Sequence, residues 1–181
     1  MSIEIEKKYR LTDTTRGAVV EKLSALGIKS AGTVFEINSI YTNALLLEQD
    51  AIVRIRRIDE RTILTFKKRF PSPAGIKHQL EEETDVEDAE ALEAIFSYLG
   101  LHTSLVYEKR RQTWDYHDCE IALDELPFGW FMEIEGAEDQ IKRIESELEI
   151  TNLETEEATY PALTRQLGVL NGDVVEARFS H

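Results

Sequence analysis

"IEIEKKYRL", residues 3–11, alternates two kinds of residue. At strand period Ile3, Ile5 and Tyr9 share one face, while Glu4, Glu6, Lys8 and Arg10 share the other. On an ordinary half-buried strand the charged face looks at water. If it looks into an enclosed space instead, carboxylates and an ammonium have been gathered there, because burying unpaired charge is expensive. The direction of this one face decides the fold.

The pattern recurs along the chain. "IVRIRR" sets Arg54 and Arg56 opposite Val53 and Ile55, and "LTFK" sets Thr65, Lys67 and then Arg69 opposite Leu64 and Phe66. "KHQLEEE" aligns Lys77, Gln79, Glu81 and Glu83, and "YEKRR" aligns Tyr107, Lys109 and Arg111. "EIALD" aligns Glu120 and Asp124 against Ile121 and Leu123, and "FMEIE" aligns Glu133 and Glu135 against Met132 and Ile134. Any one of these is an unremarkable solvated strand face. Together they segregate cations and carboxylates onto separate strands, each in phase with its own apolar alternation, which independent surface strands have no reason to do.

The spacing predicts strands over 2–10, 36–43, 51–59, 61–69, 77–86, 104–116, 119–125 and 130–136. Helical periodicity predicts helices over 13–27, 86–100, 138–149 and 160–168, the first two ending at Gly27 and Gly100. "IDER" at 58–61 and "YHDC" at 116–119 read as antiparallel hairpin turns, too short for a parallel crossover. "FPSPAG" at 70–75 reads as a loop. The apolar strand faces need cover, and amphipathic helices supply it from outside. A sheet covered outside and charged inside can curl into a closed barrel with a polar lumen, so the expected fold is α+β: a closed eight-stranded antiparallel β-barrel with a charged lumen, helices packed outside.

At 181 residues, 42% hydrophobic and 31% charged, the chain suits one domain spanning residues 1–181. A net charge of −14 disfavours nucleic acid and anionic membrane as partners. Cys119 is the single cysteine, which excludes an intramolecular disulfide and a cysteine-based zinc site and fits a reducing cytoplasm. It falls on an apolar face and is expected in the core. No export signal or membrane span is expected. His78, His102, His117 and His181 have no ligand spacing. The tail "NGDVVEARFSH", within residues 169–181, is compatible with disorder, with capping one end of the barrel, or with pairing between the subunits of a homodimer.

The guanidinium and ammonium groups match several phosphate oxygens at once and call for a polyanion. The carboxylates would repel it unless divalent cations lie between, and oxygen donors suit Mg²⁺ or Mn²⁺. A metal-polyphosphate complex satisfies both sets.

Glu4, Glu6 and Lys8 as E-x-E-x-K, Arg54 and Arg56 in "RIR", Lys67 in "LTFK", Glu81 and Glu83 in "EEE", Lys109 and Arg111 in "EKRR", and Asp124, Gly129, Glu133 and Glu135 in "LDELPFGWFMEIE" together resemble the CYTH domain family of triphosphate tunnel metalloenzymes. The match runs in order from residue 3 to about 168. The resemblance implies an eight-stranded tunnel that binds a small-molecule triphosphate and one or two Mg²⁺ or Mn²⁺. Family activities include inorganic triphosphatase, thiamine triphosphatase, class IV adenylyl cyclase and RNA triphosphatase. It implies Glu4, Glu6 and Glu135 as metal ligands, with Glu133, Asp124, Glu81 and Glu83 as further candidates. Lys8, Arg54, Arg56, Lys67, Lys109 and Arg111 would bind the phosphates. Where members often carry Arg two places before the Glu81 position, this chain has Gln79, one cation fewer in the grip.

The expected reaction is in-line hydrolysis of a triphosphate, inorganic triphosphate first, with positioning and charge stabilisation as the protein's contribution. Lys8, Arg56 and Lys109 are the expected catalytic residues: the arginine for charge developing on the transferred group, either lysine as a base if its pKa is depressed. Cyclisation of ATP by a class IV adenylyl cyclase is the alternative and would need a base pocket, for which Trp114, Trp130, Phe131 and Tyr160 are the candidates, each equally a core residue. A polyphosphate-binding module without turnover is the third reading.

Overall fold

The computed structural model describes the backbone of residues 2–70 and 77–180, and the side chains of 5–70 and 79–180. Its elements are β1 (Ser2–Leu11), α1 (Asp13–Ala25), β2 (Thr33–Thr42), α2 (Ala44–Glu48), β3 (Ala51–Ile58), β4 (Arg61–Phe70), β5 (Lys77–Asp85), α3 (Ala89–Tyr98), β6 (His102–Tyr116), β7 (Cys119–Leu126), β8 (Gly129–Glu135), α4 (Glu138–Glu147), α5 (Tyr160–Leu167), β9 (Val169–Asn171) and β10 (Val174–Ala177). The loop expected at 70–75 lies, but for Phe70, outside the described residues.

Eight antiparallel strands make a curled sheet in the order β2-β3-β4-β5-β1-β8-β7-β6. β2 also pairs with β6, from Thr33 opposite Gln112 to Thr42 opposite His102. The hairpins form where the turn residues allow them. His117 and Asp118 both adopt positive φ (52° and 57°), the geometry that matches a two-residue turn to the twist of β6 and β7. The 58–61 turn joins β3 to β4, with Asp59 at φ 50°.

Helices cover much of the apolar side of the sheet. α1 and α4 bring Val19, Leu23, Ile141 and Ile144 against Tyr9, Trp114, Ile121, Met132 and Ile134. α3 brings Phe96 against Tyr41 and Ile55. Caps fix where these helices begin: Thr12 accepts from Thr15 N–H, and Asp88 accepts from Ala91 N–H. Cys119 is buried in the first of these cores, as expected.

The fourth expected helix departs from the outside-only arrangement. α5 packs Tyr160 and Leu163 against Ile40, Tyr107 and Phe131, residues in phase with the charged face rather than the apolar one. The tail forms the hairpin β9–β10, and β10 runs parallel to β6 from Val175 opposite Leu105 to Ala177 opposite Tyr107. β10 occupies the side of β6 that β7, paired only from Arg110 onward, leaves free. α2 is an unforeseen helix. No helix among the described residues is long and apolar enough to cross a membrane.

Gly136 ends β8 where a Cβ would overlap Cys119 Sγ. Gly136→Ala is therefore expected to cost about 1–3 kcal/mol, as overpacking does. Urea unfolding checks this, and an unchanged midpoint would show that β7 and β8 can separate there without loss.

Candidate functional site

The in-phase charged faces of β1 and β3–β8 meet around a cavity of about 470 Å³. Among the described residues eight lysines and arginines line it, against seven carboxylates, in a protein of net charge −14. Charge has been sorted into this space rather than scattered into it.

Two clusters make up the wall. On β3–β5, Arg54 Nη2 lies 3.4 Å from Glu81 Oε1, 3.2 Å from Glu83 Oε1 and 3.2 Å from Thr65 Oγ1. Arg56 Nη2 donates to the same Glu83 oxygen at 2.8 Å, and Lys67 pairs with Glu81. The alternation predicted for these strands brings the groups together, since Arg54 stands opposite Thr65 and Thr65 opposite Glu83 across successive ladders. The Nε atoms of Arg54 and Arg56 are buried and have no acceptor among the described residues.

On β1 and β6–β8, Arg111 grips Asp124 through two parallel bonds of 2.7 and 2.6 Å and reaches Glu133 Oε2 at 2.5 Å. Lys109 Nζ sits 3.3 Å from Glu36 and 3.4 Å from Asp124. Lys8 Nζ is 3.2 Å from Glu133. Lys8, Lys109, Glu36 and Asp124 are at most 3% exposed, so each charge depends on its partners and removal of one leaves another stranded. Burial pushes the Glu36 carboxyl up, but Lys109, Arg111, Arg56 and Arg54 override it and hold it at about 2. Burial and the neighbouring Arg111 push the Lys109 ammonium below its usual range.

Between the clusters lie Glu6 and Glu135, opposite one another on β1 and β8. Burial, together with Glu6, Glu81 and Glu120, raises Glu135 to about 7, with Lys67 alone opposing. The two carboxylates are hard oxygen donors of the kind that suit a divalent cation, but no group of three or more such side chains among the described residues is arranged to hold one. Glu4 occupies β1 opposite Gln79, two residues before Glu6, and its side chain lies outside those described.

Eleven of the residues singled out from sequence line the cavity: Glu6, Lys8, Arg54, Arg56, Lys67, Glu81, Glu83, Lys109, Arg111, Glu133 and Glu135. Asp124 lies behind the wall, fully buried, with its oxygens taken by Arg111 and the Tyr160 hydroxyl. Of the four aromatic base-pocket candidates only Tyr160 lines the cavity; Trp114 and Phe131 are core, and Trp130 packs beside the first core under the Arg16 guanidinium. Sequence reasoning missed Glu36 and Arg165 of α5, and it placed Arg69 on the charged face without giving it a role. Glu36 heads the series Glu36, Asn38, Ile40, Thr42, which lacks the charge alternation that marked the other strands. Arg69 stands across the β4–β5 ladder from Gln79, so a cation does reach the part of the wall where Gln79 replaces one.

A CYTH domain model matches residues 2–167, and the chain belongs to the CYTH domain family. A protein provisionally named an adenylate cyclase in Methanocaldococcus jannaschii is 32% identical over 152 residues, covering 81% of this chain and 84% of that one. Among solved structures, a Pyrococcus horikoshii protein superposes with a TM-score of 0.75 at 22% identity, covering 87% of this chain and 96% of its own. A Hippeastrum protein, a proposed adenylyl cyclase whose structure is described as revealing a dominant triphosphatase activity, superposes at 0.68 with 18% identity, covering 94% and 98%. These two likenesses establish the fold.

The raised Glu135 pKa carries a sign. Its folded value near 7 exceeds the ordinary 4.5, so the folded protein holds this proton more tightly. The group favours folding at low pH, and that contribution is lost as pH rises through about 7. In metal-free protein, Glu135→Gln is expected to remove this part of the decline between roughly pH 4 and pH 7, read from urea unfolding at each pH. An unchanged slope would show that the carboxylates are not crowded.

Proposed function

We propose that the chain is a divalent-metal-dependent triphosphatase that hydrolyses a triphosphate, inorganic triphosphate first and thiamine or nucleoside triphosphates by extension, inside a closed tunnel with a charged lumen. The carrying observation is the cavity lined by the guanidinium and ammonium groups of Arg54, Arg56, Lys67, Lys109 and Arg111, in which the buried Nε–H groups of Arg54 and Arg56 have no acceptor among the described residues. Buried donors left unmade are costly, and phosphate oxygens are the partners that match arginine best. The β2–β6 pairing supports closure of the tunnel.

In this reading Arg54, Arg56, Lys67, Lys109 and Arg111 hold the phosphate oxygens, and Lys8 holds the reacting end near the acidic cluster. Water attacks the terminal phosphorus in line as the bridging P–O bond breaks, giving orthophosphate, which keeps the water's hydroxyl oxygen, and pyrophosphate, while the water's other proton passes to a phosphate oxygen. Arg56, held by Glu83, Lys8, held by Glu133, and Lys109, held by the buried Glu36 and Asp124, stabilise the charge that develops without rearranging. Glu4, Glu6 and Glu135, with Glu81, Glu83 and Glu133 as further candidates, would hold Mg²⁺ or Mn²⁺, which when bound supplies Lewis-acid neutralisation of the phosphate charge. Asp124 serves as the buried support of Arg111.

A second reading, cyclisation of ATP by adenylyl transfer, draws on one observation. The end of the cavity toward α2 and α5 is walled by Ile40, Leu47, Ala51, Ile52, Pro161 and Ala162, a surface suited to an organic group. Product analysis separates the two. With Mg²⁺ or Mn²⁺, tripolyphosphate, thiamine triphosphate and ATP are expected to release orthophosphate, with activity falling at least about 100-fold in Glu6→Gln. Cyclic AMP with pyrophosphate from ATP would establish the second reading instead. Silence on all three substrates would leave a binding module without turnover.

A further inference from the structure

The stretch between α4 and α5 lies outside the eight strands, yet it enters the site. β5 accompanies β1 only from Ser2 to Glu6. Beyond that point Arg10 N–H donates to Glu154 O at 3.0 Å, Glu156 N–H donates to Lys8 O at 2.8 Å, and Tyr9 bridges to Thr155. Residues 154–156 thus satisfy the backbone groups of β1 that β5 leaves behind.

This placement delivers two groups to Lys8. Its Nζ lies 3.2 Å from Ala158 O and 3.7 Å from the centre of the Tyr160 ring. The same ring is 5.5 Å from Lys109 Nζ. The Tyr160 hydroxyl donates to Asp124 Oδ2 at 2.7 Å, on the carboxylate that grips Arg111. Phe131 and Tyr107 pack against the ring, with centroids 5.5 and 6.2 Å away, so it has little freedom to turn.

We propose that Tyr160 is a positioning residue of the phosphate grip: its ring fixes Lys8, and its hydroxyl fixes Arg111 through Asp124. The proposal rests on the reading of the cavity as a triphosphate site. A lysine ammonium rides on a flexible stem and must be held still to meet a phosphate at low entropic cost. Glu133, 3.2 Å from Lys8 Nζ, already offsets its charge, and a second carboxylate in place of the ring would repel the ligand. An aromatic face attracts the ammonium while adding no anion. One residue therefore sets two cations carried by different strands, β1 and β6, from a helix that belongs to neither.

The test is a pair of double-mutant cycles on the affinity for tripolyphosphate with Mg²⁺, measured by calorimetry. Tyr160→Leu is expected to weaken binding about 10-fold more than Tyr160→Phe, which keeps the ring. That extra loss should vanish in a Lys8→Met background, because coupled groups are not additive. The smaller loss in Tyr160→Phe should vanish in Asp124→Asn. Equal affinities for the Phe and Leu variants, or losses that persist undiminished in the Lys8→Met and Asp124→Asn backgrounds, would overturn the proposal and leave Tyr160 a packing residue. Wild-type protein that does not bind tripolyphosphate would overturn the triphosphate reading, and the role of Tyr160 with it.

Discussion

Among the described residues fifteen charged side chains line a cavity of about 470 Å³, and their mutual neutralisation is the constraint on which the structure depends. Desolvating an ion costs several kcal/mol even after relaxation, so the arrangement persists only if each charge has a partner nearby. The ladders supply those partners. Arg54 meets Glu81 and Glu83 because β3, β4 and β5 are in register, and Arg111 meets Asp124 because β6 and β7 are. Two deficits remain: the Nε groups of Arg54 and Arg56 lack an acceptor among the described residues, and Glu135 is pushed toward protonation by burial and by its acidic neighbours. A ligand that is anionic and brings a cation with it answers both deficits.

The outer half of the structure exists to hold those ladders. α1, α3 and α4 bury the apolar faces of strands whose other faces carry the charge, so hydrophobic burial on one side balances desolvation on the other. α5 does a different job. It closes the end of the cavity with Tyr160, Pro161 and Ala162 and brings Arg165 to its wall. The residues leading to it mend the open side of β1, so the same segment completes the sheet and the site.

Much of this was legible in the sequence because charge and hydrophobicity alternated at strand period with the signs kept apart. That regularity located all eight strands, the four main helices and eleven cavity-lining residues. What escaped lacked the regularity. α2, "ALLLE", is too short to show a period. Glu36 precedes an asparagine and an isoleucine, so nothing marks it as one of a series. α5 is amphipathic like its fellows, and periodicity cannot tell a helix that covers an apolar outer face from one that meets apolar residues on the inner face. The tail left three readings open because three residues in β9 and four in β10 carry too little pattern to choose a partner strand.

The central claim is that one cavity holds a polyanion and its metal together. A crystal grown with Mn²⁺ and a non-hydrolysable imidotriphosphate tests it most directly. The account predicts anomalous density for Mn²⁺ within about 2.2 Å of oxygens of Glu6 and Glu135. It also predicts phosphate oxygens on the Nε groups of Arg54 and Arg56 and on Arg111. Triphosphate bound elsewhere, or a filled cavity in which the two guanidinium Nε groups still lack an acceptor and the carboxylates carry no metal, would contradict it.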